Sequence, residues 1–372
     1  MLNVMKHNSL KSVPITENPM NNHSDFETNA TCANKLIEKG NWVEAYPYLK
    51  TAVKMDPNYA QGYNHLGIYY TRNKKYTEAI DNFKKALQVD FTLLEAHYNL
   101  ASVYMLRKEY NAALSHFKEV VIAKPDDYET YCLMGLCCSY QDTIIDAESF
   151  FYESLRLKPD YIPSAINLSK LLIKNNDCAT AKNTLLYVLK NNTSTPEVHY
   201  LLGIIYKIQK KYLKAMKHLR ETLLIDKNNA DAYNLLGECC IELDMDKQAE
   251  TFFVMAAKLD ISHLNAMHNL GKLYFNQKKY HDAICFMEKC IETYEVNHSI
   301  NSILSETMHA DEIAPLYNLL GHCYKITENP VRARAVWNKS LAILPEQQNI
   351  KDAMAELPQP SYKRNRVSLV IN

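Results

Sequence analysis

The chain has 372 residues, with 42 lysines and arginines against 42 aspartates and glutamates and no net charge. That balance gives no electrostatic reason to expect nucleic acid or a strongly anionic surface as a partner. No run of about 18 apolar residues is present to cross a membrane, and the Asn, Pro and Glu residues near the N-terminus do not make a secretory signal. A cytoplasmic protein with no nucleic-acid partner and no direct membrane insertion is expected.

Residues 1–23 are rich in Asn, Ser, Pro and Lys, show no periodicity and read as a disordered leader, because they cannot bury enough apolar surface to offset their ordering entropy. Ser24-Asp25-Phe26-Glu27 has the spacing of a capping box and predicts a helix start. A degenerate unit follows, with Asn29, Cys32, Ala33 and Leu36 on its first helix and Trp42, Ala45, Leu49, Ala52 and Pro57 on its second.

The next stretch, Ala60 to Phe91, is the clearest copy of a pattern that returns every 34 residues. Tyr63, Leu66, Gly67 and Tyr70 share one face of a first helix, and Ala79, Phe83 and Ala86 share one face of a second. Asn73-Lys74-Lys75 is the polar break between them. Counting by 34 from Ala45, alanine recurs at Ala79, Ala113, Ala147, Ala181, Ala215, Ala249 and Ala283, then at Ala333 after 16 extra residues. The small position of the first helix reads Ala33, Gly67, Ala101, Gly135, Ser169, Gly203, Gly237, Gly271 and Gly321. Glycine here serves close helix packing.

Contiguous copies are expected over 24–297. The one beginning at Ile162 carries Ala165 and Leu172 where others carry aromatics, so its core should be thinner and any flexing should centre there. Residues 298–313 interrupt the period, with Ile300, Ile303, Leu304 and Met308 at helical spacing; they read as a longer helix end or loop, or as a docking element. A complete copy follows over 314–347. Ile350, Met354 and Leu357 then form an apolar stripe on a short capping helix over 348–357, and 358–372 reads as a flexible basic tail.

This pattern resembles the tetratricopeptide repeat, whose hallmark is a helix-turn-helix of this length with aromatic, Leu-Gly, aromatic, Ala, Phe and Ala at set offsets. The resemblance covers nine copies and implies an all-α fold, a right-handed α-solenoid superhelix of helix-turn-helix pairs.

No catalytic constellation is legible. Phosphate-binding glycine motifs are missing, and His65, His97 and His199 stand where sister repeats carry aromatics or asparagines, so each is expected to pack or face solvent. No enzyme activity and no cofactor are expected. Of the 10 cysteines, Cys137, Cys239 and Cys323 share one buried phase, and Cys138 and Cys240 replace a tyrosine, which reads as packing. His281, Cys285 and Cys290 lack the spacing of a metal site, so none is expected.

The resemblance implies an interaction scaffold whose first helices line a concave groove. The family's groove positions read Ser102, Met105, Leu106; Leu136, Ser139, Tyr140; Lys170, Ile173, Lys174; and Ile204, Lys207, Ile208. The expected partner is an extended peptide or helix with apolar anchors and an acidic group for Lys170, Lys174 or Lys207, and Tyr140 is the expected hot spot. Two alternative readings are a self-assembling scaffold that recruits other proteins and a regulatory subunit of an enzyme complex. Glu27, Glu95, Glu129, Glu197 and Asp231 occupy the early phase where chaperone co-factor members place a carboxylate clamp, so a C-terminal Glu-Glu-Val-Asp peptide is not expected to bind.

Overall fold

The computed structural model describes residues 22–191, 195–260, 263–301 and 310–358. These residues form helices joined by turns, with no strand among them. Two compact units result, Met1–Ser164 and Ala165–Asn372. The first holds α1 (Asn22–Glu38), α2 (Trp42–Met55), α3 (Ala60–Arg72), α4 (Tyr76–Val89), α5 (Leu94–Leu106), α6 (Tyr110–Ala123), α7 (Tyr128–Tyr140) and α8 (Ile144–Leu157). The boundary falls inside α9 (Ile162–Lys174), in the repeat that carries Ala165 and Leu172 where others carry aromatics. The second unit continues with α10 (Cys178–Lys190), α11 (Pro196–Ile208), α12 (Tyr212–Ile225), α13 (Ala230–Ile241), α14 (Asp246–Leu259), α15 (Leu264–Asn276), α16 (Tyr280–Asn301), α17 (Ala310–Ile326), α18 (Pro330–Ile343) and α19 (Gln348–Ala355).

One packing rule builds every pair. The large side chain midway along the second helix sits on the small residue of the first, and Phe83, Phe117, Phe151, Leu185, Leu219, Phe253, Met287 and Trp337 all lie fully or almost fully buried in that role. A Cβ on Gly135 would lie 2.6 Å from Phe151 Cε1, and one on Gly237 would lie 2.5 Å from Phe253 Cε1. The missing methyl is therefore what lets the ring and the backbone touch. Where a hydroxyl replaces the second-helix alanine it reaches back to the first helix. Ser154 donates to the Tyr128 carbonyl at 2.8 Å, Thr222 to that of Pro196 at 3.3 Å and Ser340 to that of Ala314 at 3.3 Å.

The turn inside each pair is as regular. Lys74, Lys108, Asp142, Asn176, Lys210, Asp244, Lys278 and Glu328, with Gly40, occupy the left-handed region, with φ between 55° and 77°. In the α3–α4 turn Lys75 N–H bonds to the Tyr70 carbonyl at 2.9 Å and Lys74 N–H to that of Thr71 at 3.0 Å, the paired bonds of a Schellman ending. Second helices end differently, in extended residues such as Asp56, Asp90 and Asp226.

The chain departs from the sequence expectation at two boundaries. α1 begins at Asn22, so Ser24 lies in its first turn and is not the N-cap; neither Asn22 nor His23 is a residue that stops a helix. The interruption lengthens its flanking helices: α16 runs on to Asn301, and α17 starts at Ala310, which puts Pro315 inside a helix. Ile313 is buried with Trp337, Ile350 and Leu357, and Met354 packs against the same cluster. Ile303, Leu304 and Met308, the leader before Asn22 and the tail beyond Pro358 lie outside the described residues.

Candidate functional site

The groove positions fall in both units, and each set is described within its own. In the first unit Met105 and Leu136 are half-buried, and Met105 packs against the core. Ser102 donates to the Tyr98 carbonyl at 2.8 Å, and Ser139 is half-buried. Leu106 and Tyr140 stand at the C-terminal ends of α5 and α7, 49% and 63% exposed. The Tyr140 ring stacks on Tyr110 at 5.2 Å and 17°, which holds one face and leaves the other to solvent.

In the second unit Ile173 and Ile204 are half-buried, Lys170 and Lys174 are exposed, and Ile208 is 52% exposed. Lys207 on α11 forms an ion pair with Glu238 on α13. Glu238 also accepts from Asn234 at 2.9 Å and from Asn269 on α15 at 3.0 Å, and Asn269 donates to the side-chain Oδ1 of Asn234 at 3.0 Å. The Lys207 ammonium, which the sequence offers to an acidic partner, is thus met first by a carboxylate of its own chain. In the first unit the counterpart of the amide pair is Asn99 donating to Asn64 at 3.0 Å, with Asn64 buried.

The structure adds a set of residues that the sequence reading passed over. Val43, Ile145, Leu213 and Val331 are 60%, 83%, 73% and 73% exposed, all at the same phase near the start of a second helix. They stand five residues after the phase of Leu106, Tyr140, Ile208 and the 45% exposed Ile326, so the two sets flank the left-handed turns. The signal was present as a second apolar recurrence in the repeat register, obscured because second-helix starts carry polar residues in other copies.

The chemistry of the thiols is that of packing. Burial pushes the Cys137 and Cys239 thiols up to about 12 and those of Cys290 and Cys323 up to about 11, which keeps them protonated and unreactive. Cys285 is exposed and Cys290 buried, so these two do not share a face with which to hold an ion. Among the described residues no helix is long and apolar enough to cross a membrane.

Residues 60–92, 94–127, 196–229 and 263–301 match family models described as tetratricopeptide repeat. The Saccharomyces cerevisiae protein "Anaphase-promoting complex subunit CDC16" is 26% identical over 162 residues, which is 42% of this chain and 19% of that protein. The chain therefore spans about a fifth of that relative's length. The structure of a tetratricopeptide repeat protein from Parabacteroides merdae superposes with a TM-score of 0.51 at 19% identity, over 68% of this chain and 99% of that one. The hetero-tetramer Cut9-Hcn1 gives 0.51 at 16% identity, over 85% and 59%. At these identities the structural likeness speaks to fold.

Proposed function

Because the chain is a tetratricopeptide repeat protein, a fold that serves as a protein-interaction scaffold, we propose that it is a non-catalytic adaptor holding a peptide or helix of another protein along its first helices. The observation that carries this is the exposure of Leu106 and Tyr140 at one repeat phase of the first unit, 49% and 63%; Ile208 stands 52% exposed at the same phase of the second. An apolar side chain left in water forgoes about 1.5–3 kcal/mol of burial, and two such chains one repeat apart in the first unit offer a partner adjacent anchors. Tyr140 is the main anchor of the first unit, since its ring is already oriented by Tyr110 and loses little freedom on contact. In the second unit Lys207, next to Ile208 in sequence, is engaged by Glu238.

The test compares wild type with a Leu106→Ser, Tyr140→Ser, Ile208→Ser triple variant, both checked for intact helicity, in pull-downs from the native source. Loss of a partner that wild type retains supports the assignment, and recovery of the same partners by the variant overturns it. Sedimentation of the two proteins separates hetero-binding from self-assembly. A concentration-dependent oligomer abolished by the substitutions assigns the same surface to a second copy of the chain.

A further inference from the structure

Two repeats carry a pair of histidines where their sisters carry other residues. His97 on α5 faces His116 on α6 with 3.0 Å between the two Nδ1 atoms, and His199 on α11 faces His218 on α12 at the same 3.0 Å. The equivalent positions hold Tyr131 with Phe150 and Tyr233 with Phe252, whose ring centroids are 6.5 and 6.4 Å apart. In those two repeats the junction is therefore filled by aromatic rings that offer no nitrogen. Along the array histidine stands at both positions or at neither, which points to the pair as the unit of function.

The nitrogens of the first pair can be accounted for. His97 Nε2 lies 2.9 Å from the Phe91 carbonyl oxygen, which can only accept, so the proton sits on Nε2 and Nδ1 keeps a lone pair. His116 then donates through its own Nδ1–H. An imidazole whose outer N–H is held by a carbonyl is oriented as metal-ligating histidines are. When His116 takes the other tautomer, both Nδ1 lone pairs face one gap. With metal–nitrogen bonds of about 2.0–2.1 Å, a separation near 3.0 Å subtends roughly 90° at an ion between them. That is the angle of a tetragonal nickel(II) or copper(II) shell, tighter than tetrahedral zinc prefers.

Each pair has further support. Glu119 and Glu221 follow His116 and His218 by three residues and so share their helix face; both are half-buried, and each acts electrostatically on its histidine. Tyr104 stacks on His116 at 5.9 Å and Tyr206 on His218 at 5.4 Å, which limits ring rotation. Lys84 beside His116 and Lys217 beside His218 oppose a cation and weaken the site. Among the described residues no group of three or more donors is already gathered, so the carboxylate would join on binding.

We propose that the His97–His116 and His199–His218 pairs are two equivalent sites for a late first-row divalent transition-metal ion. The ion would bridge the first and second helices of its repeat through two Nδ1 atoms, with Glu119 or Glu221 and water completing its shell.

Calorimetric titration of the full chain with nickel(II) chloride at pH 7.5 should read two equivalents. His116→Phe, the ring that the repeat beginning at Tyr128 carries at this phase, should leave one, and His116→Phe with His218→Phe should leave none. Nickel should raise the melting temperature of wild type and leave that of the folded double variant unchanged. Replacing the exposed His281 by Asn should keep two equivalents. Retention of both equivalents by the double variant, or no saturable binding by folded wild type, overturns the proposal.

Discussion

Gly67 lies so close to the Phe83 ring that a Cβ added to it would come within 2.5 Å of Cε1 and 2.6 Å of Cδ1. Phe83 is buried to 1% exposure and cannot swing aside without opening the core. The next repeat carries Ala101 at the position of Gly67 and Phe117 at that of Phe83, so a methyl is tolerated there only with its own repeat's packing around it. Gly67→Ala should accordingly cost about 1–3 kcal/mol, the range for overpacking, and Gly67→Leu should unfold its repeat. Urea titration followed by circular dichroism measures both; equal stability of Gly67→Ala and wild type would show that the helices separate freely.

The left-handed turn residues invite the opposite substitution. Lys108 sits at φ 62°, where a side chain is strained and glycine is not. Lys108→Gly should raise stability by up to about 1 kcal/mol, since relief of native strain exceeds the added freedom of the unfolded chain. Gly40→Ala, at φ 77°, should lower it by a similar amount. Melting temperatures that move in the same direction for both would contradict the turn geometry.

Thiol reactivity should follow burial. Cys285 is the exposed cysteine among the described residues, Cys32 and Cys178 are half-buried, and the other seven are buried. A disulfide-exchange reagent added to native protein should label Cys285 first and Cys32 and Cys178 more slowly. The buried set should react only on unfolding, and rapid native labelling of Cys137 or Cys239, read by mass spectrometry, would contradict the packing described above.

Acid should destabilise the chain between neutrality and about pH 5. Burial lowers the pKa values of His65, His268 and His322, so below about 6.5 the unfolded chain takes up protons that the folded chain refuses. The stability these groups allow is whole above the unfolded value and is lost as pH falls below it. His263 works the other way: burial is its largest single influence and lowers its pKa, but the hydrogen bond and charge of Asp231, a backbone hydrogen bond and the charge of Asp260 together raise it, so its contribution is present at low pH and lost as pH rises through the folded value. Burial likewise lowers the pKa values of His116, His199 and His218, so six groups against one predict a lower melting temperature at pH 5.5 than at 7.5. His268→Gln with His322→Gln should shrink the difference, and an unchanged difference would place its origin elsewhere.

A peptide ending in Glu-Glu-Val-Asp should show no saturable binding by fluorescence anisotropy. Glu95, Glu129, Glu197 and Asp231 line the first turns of α5, α7, α11 and α13, where carboxylates suit the helix dipole and repel an incoming carboxylate. Asp231 is also paired with His263 at 3.1 Å. Micromolar binding that is lost when the peptide is amidated would overturn this.

The residue pattern alone was enough to identify the helix pairs, because a 34-residue recurrence of small and large side chains leaves one way to pack two helices. It likewise gave the cysteines their packing role, since Cys137 and Cys239 share a phase whose neighbours are core. The pattern could not tell that Lys207 meets Glu238, that His97 meets His116, or that Ile145 and Leu213 stand out in solvent beside the turns. Those outcomes depend on side chains separated by 19 to 31 residues or on the rotation of a helix about its axis, quantities that no single period records. Tertiary structure decided them because a nitrogen pair 3.0 Å apart arises only after two helices have been brought into register.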